Sequence, residues 1–168
     1  MKFSKIIVIC LVFALSSCKQ KTEQNNTPKN VILLISDGTG LSQISSAFYF
    51  KETSPNYARF EDIGLINTSS STHDVTDSAA SGTAFGCGVK TYNGAIGVAP
   101  DSTAVQNMVE AVSLKNINTG IIATSSITHA TPASFYAHQI SRKMNDEIAL
   151  DLLNSDVDFF CRWRIAAF

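Results

Sequence analysis

The chain has 168 residues, 45% of them hydrophobic, enough to bury a core of ordinary size, and length alone points to one domain. A formal net charge of −1 argues against the broad basic field that nucleic-acid binding or adsorption to anionic membranes exploits. Of four cysteines, Cys10 and Cys18 fall in an export segment, and Cys87 and Cys161 alone make no disulfide framework.

Lys2 and Lys5 precede an apolar run from Ile6 to Leu15, followed by Ser16, Ser17 and Cys18. This is the layout of an export signal, and its apolar run is too short to span a bilayer as a helix. Leu15-Ser16-Ser17-Cys18 resembles a bacterial lipobox, which implies a lipid anchor on Cys18 and a protein of the periplasm or cell envelope. An ordinary signal peptide with an incidental cysteine is the alternative. Residues 19–29 are polar and cannot order themselves by burial, so they are expected to be a flexible tether to a domain over 30–160.

Val31 to Ser36 is a continuous β-branched, apolar run, as expected of a strand covered on both faces. Asp37-Gly38-Thr39-Gly40 breaks it, and helical spacing follows over 41–51. Leu65 to Ser69 is a candidate short strand. Asp77 and Ser78 open a small-residue helix reaching about Phe85. A helix over Ala104 to Lys115 places Val105, Met108, Val109 and Val112 on one face, and Thr119 to Ser125 reads as a strand. Pro132 suits the first turn of a helix over Ala133 to His138, and Asn145 the cap of another from Asp146 to Leu153. Strands alternating with helices predict an α/β fold.

Three segments carry chemistry. Asp37 follows the apolar run, where a carboxylate leaving a sheet edge would coordinate a cation; an Asp-Gly pair there also reads simply as a turn. Ser78 stands at a helix N-terminus among small residues, where backbone N–H groups attract phosphate oxygens and a nearby cation favours the alkoxide. The plain alternative is a capped helix packing through Ala and Gly. Thr128-His129-Ala130-Thr131-Pro132, with Arg142 beyond it, combines oxygen and nitrogen ligands with a guanidinium suited to phosphate. A Thr before Pro is also an ordinary cap, and an arginine can simply face solvent.

In this order the segments resemble those of alkaline phosphatases: Ser36-Asp37-Gly38, Asp77-Ser78-Ala79-Ala80-Ser81, Val89-Lys90-Thr91-Tyr92-Asn93-Gly94 and Ala130-Thr131-Pro132. The resemblance covers approximately Lys29 to Leu153. It implies a central sheet flanked by helices, and hydrolysis of phosphate monoesters with Zn2+ and Mg2+. In that family Ser78 would attack phosphorus to give a phosphoserine that water releases at zinc. Asp37 would bridge a zinc and the magnesium, Thr131 would bind magnesium, and Asp77 would orient the phosphate-clamping Arg142. His129 occupies a position that is Asp in some members, and imidazole suits magnesium less well than carboxylate, so weaker magnesium retention is expected. His73, His138 and Cys87 are expected to be structural.

The resemblance also implies ligands that the chain does not supply: a further Glu, two Asp and three His. Asp146, Glu147, Asp151, Asp156 and Asp158 fall on a surface helix or its exit and do not replace them. The chain is therefore expected to be an N-terminal portion with an incomplete sheet, inactive alone and a homodimer when complete. After Asp158-Phe159-Phe160 the family continues into a glycine-rich loop, whereas Cys161-Arg162-Trp163-Arg164-Ile165 follows here. Codons for those residues, shifted by a nucleotide, can encode Ala-Gly-Gly-Gly-Leu, so 161–168 are expected to be a frameshifted tail. A phosphodiesterase or sulfatase, or a non-catalytic surface lipoprotein, is the competing reading.

Overall fold

A computed structural model describes residues 30–162; the export segment, nearly all of the tether and residues 163–168 lie outside the described residues. Of the N-terminal unit ending at Ile35, only residues 30–35 are described. The expected strand over Val31 to Ser36 is not formed: no ladder pairs it, and Val31, Ile32 and Leu34 are exposed. A doubly covered strand exists only between neighbours, so hydropathy alone does not produce one.

The second unit begins at Ser36. Helix α1 spans Leu41–Phe50, close to the expected bounds, and the Gln43 side chain accepts from Gly40 N–H at 3.0 Å at its start. It has no buried residue. The 3-10 turn Asn56–Arg59 docks on it, Tyr57 meeting Phe48 edge-on at 5.6 Å and donating its hydroxyl to Ile44 O at 2.6 Å. Leu65 to Ser69 is not a strand. Asn67 Oδ1 instead accepts from Ser69 N–H, Ser69 Oγ and Lys90 Nζ, the local side-chain bonding that competes with a ladder.

Helix α2, Ser78–Cys87, is capped by Asp77 and stopped by Gly88 in the left-handed region. Helix α3 is shorter than expected, Met108–Ser113. Asn107 and Glu110 form a capping box that starts the helix there, while Ala104 bridges to Val98. Strand β1, Gly120–Ala123, lies inside the expected Thr119 to Ser125 and pairs in parallel with β2, Phe159–Arg162, with Ile121 opposite Phe160 and Ile122 opposite Cys161. Cys161 and Arg162, read as the opening of a shifted tail, thus complete a strand.

Helix α4 is Ala130–Ala133, followed by turns to Tyr136, so Pro132 sits inside the helix rather than at its start and His138 lies beyond it. Paired backbone bonds between Ile96 and Gln139 draw the chain out of the helix at that point. Helix α5, Asn145–Leu153, includes Asn145 and has Met144 before it, with no side-chain cap. The core joins Ala79 of α2, Ile96, Ala130 and Ala133 of α4, Tyr136, Ala137, and Ile148 and Leu152 of α5. Gly82 and Gly86 let α2 close on Ser134: a Cβ at Gly82 would stand 2.8 Å from Ser134 Oγ. This seam fixes the starts of α2 and α4 beside each other. A helical α/β fragment with a two-stranded parallel sheet agrees with the expected incomplete α/β fold.

Candidate active site

Asp77 sets the start of α2. Its Oδ1 accepts Ala80 N–H at 2.9 Å, one of the donors a helix start leaves free, a cap generally worth about 1 kcal/mol. Its other oxygen, Oδ2, accepts from Arg142 NH1 at 3.1 Å. Burial pushes this carboxyl up, but the backbone N–H groups of Ala80 and Gly94 and the Arg142 guanidinium outweigh it and hold the group below its ordinary range. Asp77 is thus a fixed anion that tells Arg142 where to lie.

Ser78 is the first residue of α2 and half-buried, with only Ala79, Ala80 and Ser81 after it in the first turn. Its hydroxyl donates to Asp37 Oδ1 at 3.1 Å, and Thr131 of α4 donates to the other oxygen, Oδ2, also at 3.1 Å. One carboxylate therefore gathers hydroxyls from two helices, 41 and 94 residues away in sequence. Asp37 is exposed and sits in a turn closed by Thr39 N–H on Ser36 O, with Gly38 at φ +67°. The turn reading of Asp37-Gly38 is the one observed, and the turn places the carboxylate beside Ser78 and Thr131.

Arg142 NH2 lies 3.1 Å from His129 Nε2. A guanidinium has no acceptor, so Arg142 donates and His129 is bonded through an unprotonated Nε2. His129 precedes α4 as Asp77 precedes α2, so Arg142 spans two helix starts. The six expected site residues fall into two groups: Asp37, Ser78 and Thr131 around one carboxylate, and Asp77, Arg142 and His129 around one guanidinium. They are joined by the adjacency of Asp77 to Ser78 and by the turn from His129 to Thr131. His129's side-chain hydrogen bond runs to Arg142, not to the Asp37 group.

The other histidines and Cys87 lie outside the two groups; His138, expected within a helix, follows one, and Cys87 is half-buried. His73 is in a loop, its Nδ1 on Thr72 Oγ1. Burial, and the Glu110 charge after it, push the Cys87 thiol up to about 11, and Sγ donates to Ser134 O. His138 is satisfied outside any helix, with Nδ1 on Gly97 O at 2.7 Å and Nε2 on Glu110 at 2.8 Å. Asp151 accepts from His138 N–H and Gln139, Asp156 from Ser113, and Asp158 from Thr119 N–H, so these acids pin loops. Asn93 and Gly94 escaped the assignment of roles although both touch Asp77; an Asn-Gly pair, the usual mark of a tight turn, was the available signal.

The alkaline phosphatase family model matches residues 28–158. This chain belongs to the alkaline phosphatase family. It is 40% identical over 152 residues to alkaline phosphatase 3 of Bacillus subtilis, covering 85% of this chain and 33% of the relative. With the alkaline phosphatase of Schizosaccharomyces pombe it shares 44% identity over 131 residues, 74% of this chain and 25% of that one. Among solved structures, alkaline phosphatase from the Antarctic bacterium TAB5 superimposes with a TM-score of 0.77 at 69% identity, over 80% of this chain and 39% of that one. A variant of that enzyme, with a histidine changed to aspartate and Mg bound in the M3 site, gives a TM-score of 0.78. The chain thus spans a third or less of the curated relatives it matches.

The donors of this alkaline phosphatase chain divide by metal. Asp37 with the hydroxyls of Ser78 and Thr131 is an all-oxygen set that fits a hard cation such as Mg2+. Zinc favours imidazole and thiolate with carboxylate, and among the described residues no group of three or more His, Cys, Asp and Glu converges. Among the described residues the oxygen donors fit a hard cation, and Asp37 is the one donor here that zinc could share.

Proposed function

We propose that this chain supplies the nucleophile, the phosphate clamp and the magnesium-side ligands of a phosphomonoesterase. The observation that carries it is Ser78: a half-buried hydroxyl at the start of a helix, bonded to Asp37 beside a fixed Asp77–Arg142 pair. Asp37 aims Oγ, the N-terminus of α2 favours the negative phosphoryl group, and Arg142 presents its fork to the oxygens that do not react. Oγ bonds to phosphorus as the bond to the leaving alcohol breaks; water then cleaves the phosphoserine and releases phosphate. Divalent cations, when bound, lower the cost of the Ser78 alkoxide and of charge on the departing oxygen.

Asp37 and Thr131 would hold Mg2+, and Asp37 would also serve zinc, whose remaining ligands the described residues do not include. The relative with Mg in its M3 site supports magnesium as one of the cations. His129→Asp is then expected to tighten magnesium retention, checked by equilibrium dialysis. A lipid anchor on Cys18, a place in the periplasm or cell envelope, and a dimer in the whole enzyme belong to the same reading.

The test is acid-quench trapping on a complete enzyme that includes this chain, with an aryl phosphate, Zn2+ and Mg2+, followed by peptide mapping, with diester and sulfate-ester turnover run alongside. Phosphate on Ser78 that disappears in Ser78→Ala is the expected result. A label on another residue, or hydrolysis untouched by Ser78→Ala, overturns it.

A further inference from the structure

The segment Thr91-Tyr92-Asn93-Gly94 helps carry the family resemblance yet has no part in the chemistry above. It folds as a turn, Ala95 N–H bonding Tyr92 O at 3.2 Å, with Gly94 at φ +93°. That geometry fits a type II turn, whose third residue needs the left-handed region and hence glycine. The turn faces the site. Asn93 Oδ1 accepts Asp77 N–H at 3.3 Å while Asn93 Nδ2 donates to Val75 O at 3.0 Å, so one side chain grips both ends of Val75–Asp77. Gly94 O accepts Arg142 N–H at 2.7 Å.

We propose that Asn93 is a positioning residue for the nucleophile, acting through Asp77, and that the Asn93-Gly94 turn sets Ser78 and Arg142 in register with each other. Three bonds from two adjacent residues reach the backbone before Ser78 and the backbone of Arg142, whose side chain the Asp77 carboxylate orients. Val75 is exposed and Asp77 only half-buried, so packing does not hold this approach to α2; the Asn93 amide does. Without it Asp77 N–H loses its partner, and the first residue of α2 gains freedom to swing its hydroxyl away from Asp37.

The proposal rests on the phosphoserine reading for its catalytic consequence, but its structural half has a readout of its own. Amide hydrogen exchange in the full chain is expected to quicken at Asp77 in Asn93→Ala while staying unchanged at Ile96 and Gln139, whose bonds lie in a separate bridge. Asn93→Asp keeps the acceptor and the turn, loses the donor to Val75, and is expected to preserve Asp77 protection; it also serves if the alanine variant fails to fold. In the trapping assay on a complete enzyme carrying this portion, phosphorylation of Ser78 by Asn93→Ala is expected to fall by about 10- to 100-fold, with the half-saturating substrate concentration little changed. Unchanged Asp77 exchange in Asn93→Ala, or a phosphorylation rate equal to the parent's, overturns the proposal. Faster Asp77 exchange in a chain whose label falls elsewhere than Ser78 supports the positioning and overturns the nucleophile reading instead.

Discussion

The seam between α2 and α4 buries Ala79, Ala80, Gly82 and Gly86 against Ala130, Ala133 and Ser134, whereas α1 and the 60–66 segment leave Tyr49 83%, Ile63 90% and Leu65 98% exposed. The seam is built from the smallest side chains and the second region from large apolar ones. Burial here follows complementary shape within reach, not hydropathy. Two helices meeting through Gly and Ala approach closely, with Ile96, Tyr136 and Ile148 closing the core around them, and their starts carry Ser78 and Thr131. Of the larger residues of α1, Phe48 meets Tyr57, whose hydroxyl bonds the Ile44 carbonyl.

The sharpest way to break the contrast is to add atoms to the close-packed side of the molecule. Gly97 has φ +58°, and a Cβ there would collide with the Ala137 carbonyl oxygen and stand 3.0 Å from His138 Nδ1. Gly97→Ala combines left-handed strain of ~1–2 kcal/mol with overpacking of ~1–3 kcal/mol, so a loss of about 3 kcal/mol is expected in urea denaturation. Gly86→Ala, which meets the Ser134 backbone, should lose ~1–3 kcal/mol by overpacking alone. A parent-like midpoint for Gly86→Ala would mean that the α2–α4 seam is loose, and one for Gly97→Ala that the Gly97–Ala137 approach is.

Removing the cap comes next. Asp77→Ala should cost about 1 kcal/mol of stability and free Arg142, while Asp77→Asn keeps the cap and loses only the charge opposite Arg142. The sign with pH is set by the lowered carboxyl. The contribution of Asp77 is present above its ordinary value of 3.8 and is lost as pH falls through the depressed folded value. In acid titration of stability, Asp77→Asn should therefore show a shallower loss than the parent; an equal slope would mean that Arg142 does not hold Asp77 in solution.

The same contrast explains what could be read from the sequence. Ser78 and Thr131 were legible because caps and small-residue helix starts are local chemistry, and Asp37 because a turn residue after an apolar run is a local signal too. The strand over Val31 to Ser36 was not, since a ladder depends on neighbours that composition does not reveal. The periodic run over Ala104 to Lys115 forms a helix only from Met108, because the capping box of Asn107 and Glu110 starts it inside the run. Asn93 was visible as a turn former, but its bonds to Val75 and Asp77 cross 16 to 18 residues and needed the fold.

His138 lies between the two extremes, tied to Gly97, Glu110 and Asp151 yet partly open to water. Burial lowers its affinity for a proton, but the Gly97 carbonyl and the charges of Glu110 and Asp151 more than reverse this, so the folded value lies above the ordinary 6.5. Its stabilisation is then full below about 6.5 and lost as pH rises through the raised folded value. Glu110→Gln should flatten that decline in urea midpoints measured between about pH 6 and pH 8. The Cys87 thiol also feels Glu110, but titrates well above this window, at about 11.

The smallest effect is expected where the residues are largest. Tyr49→Ser and Leu65→Ser remove side chains 83% and 98% exposed, so little apolar area returns to water on unfolding and each should change stability by no more than about 0.5 kcal/mol. Measured at two protein concentrations, the midpoints should also agree with each other. A loss above about 1 kcal/mol that grows with concentration would show that α1 and the 60–66 segment are covered by a second copy. The contrast would then lie between a surface that closes on itself and one that closes on a neighbour.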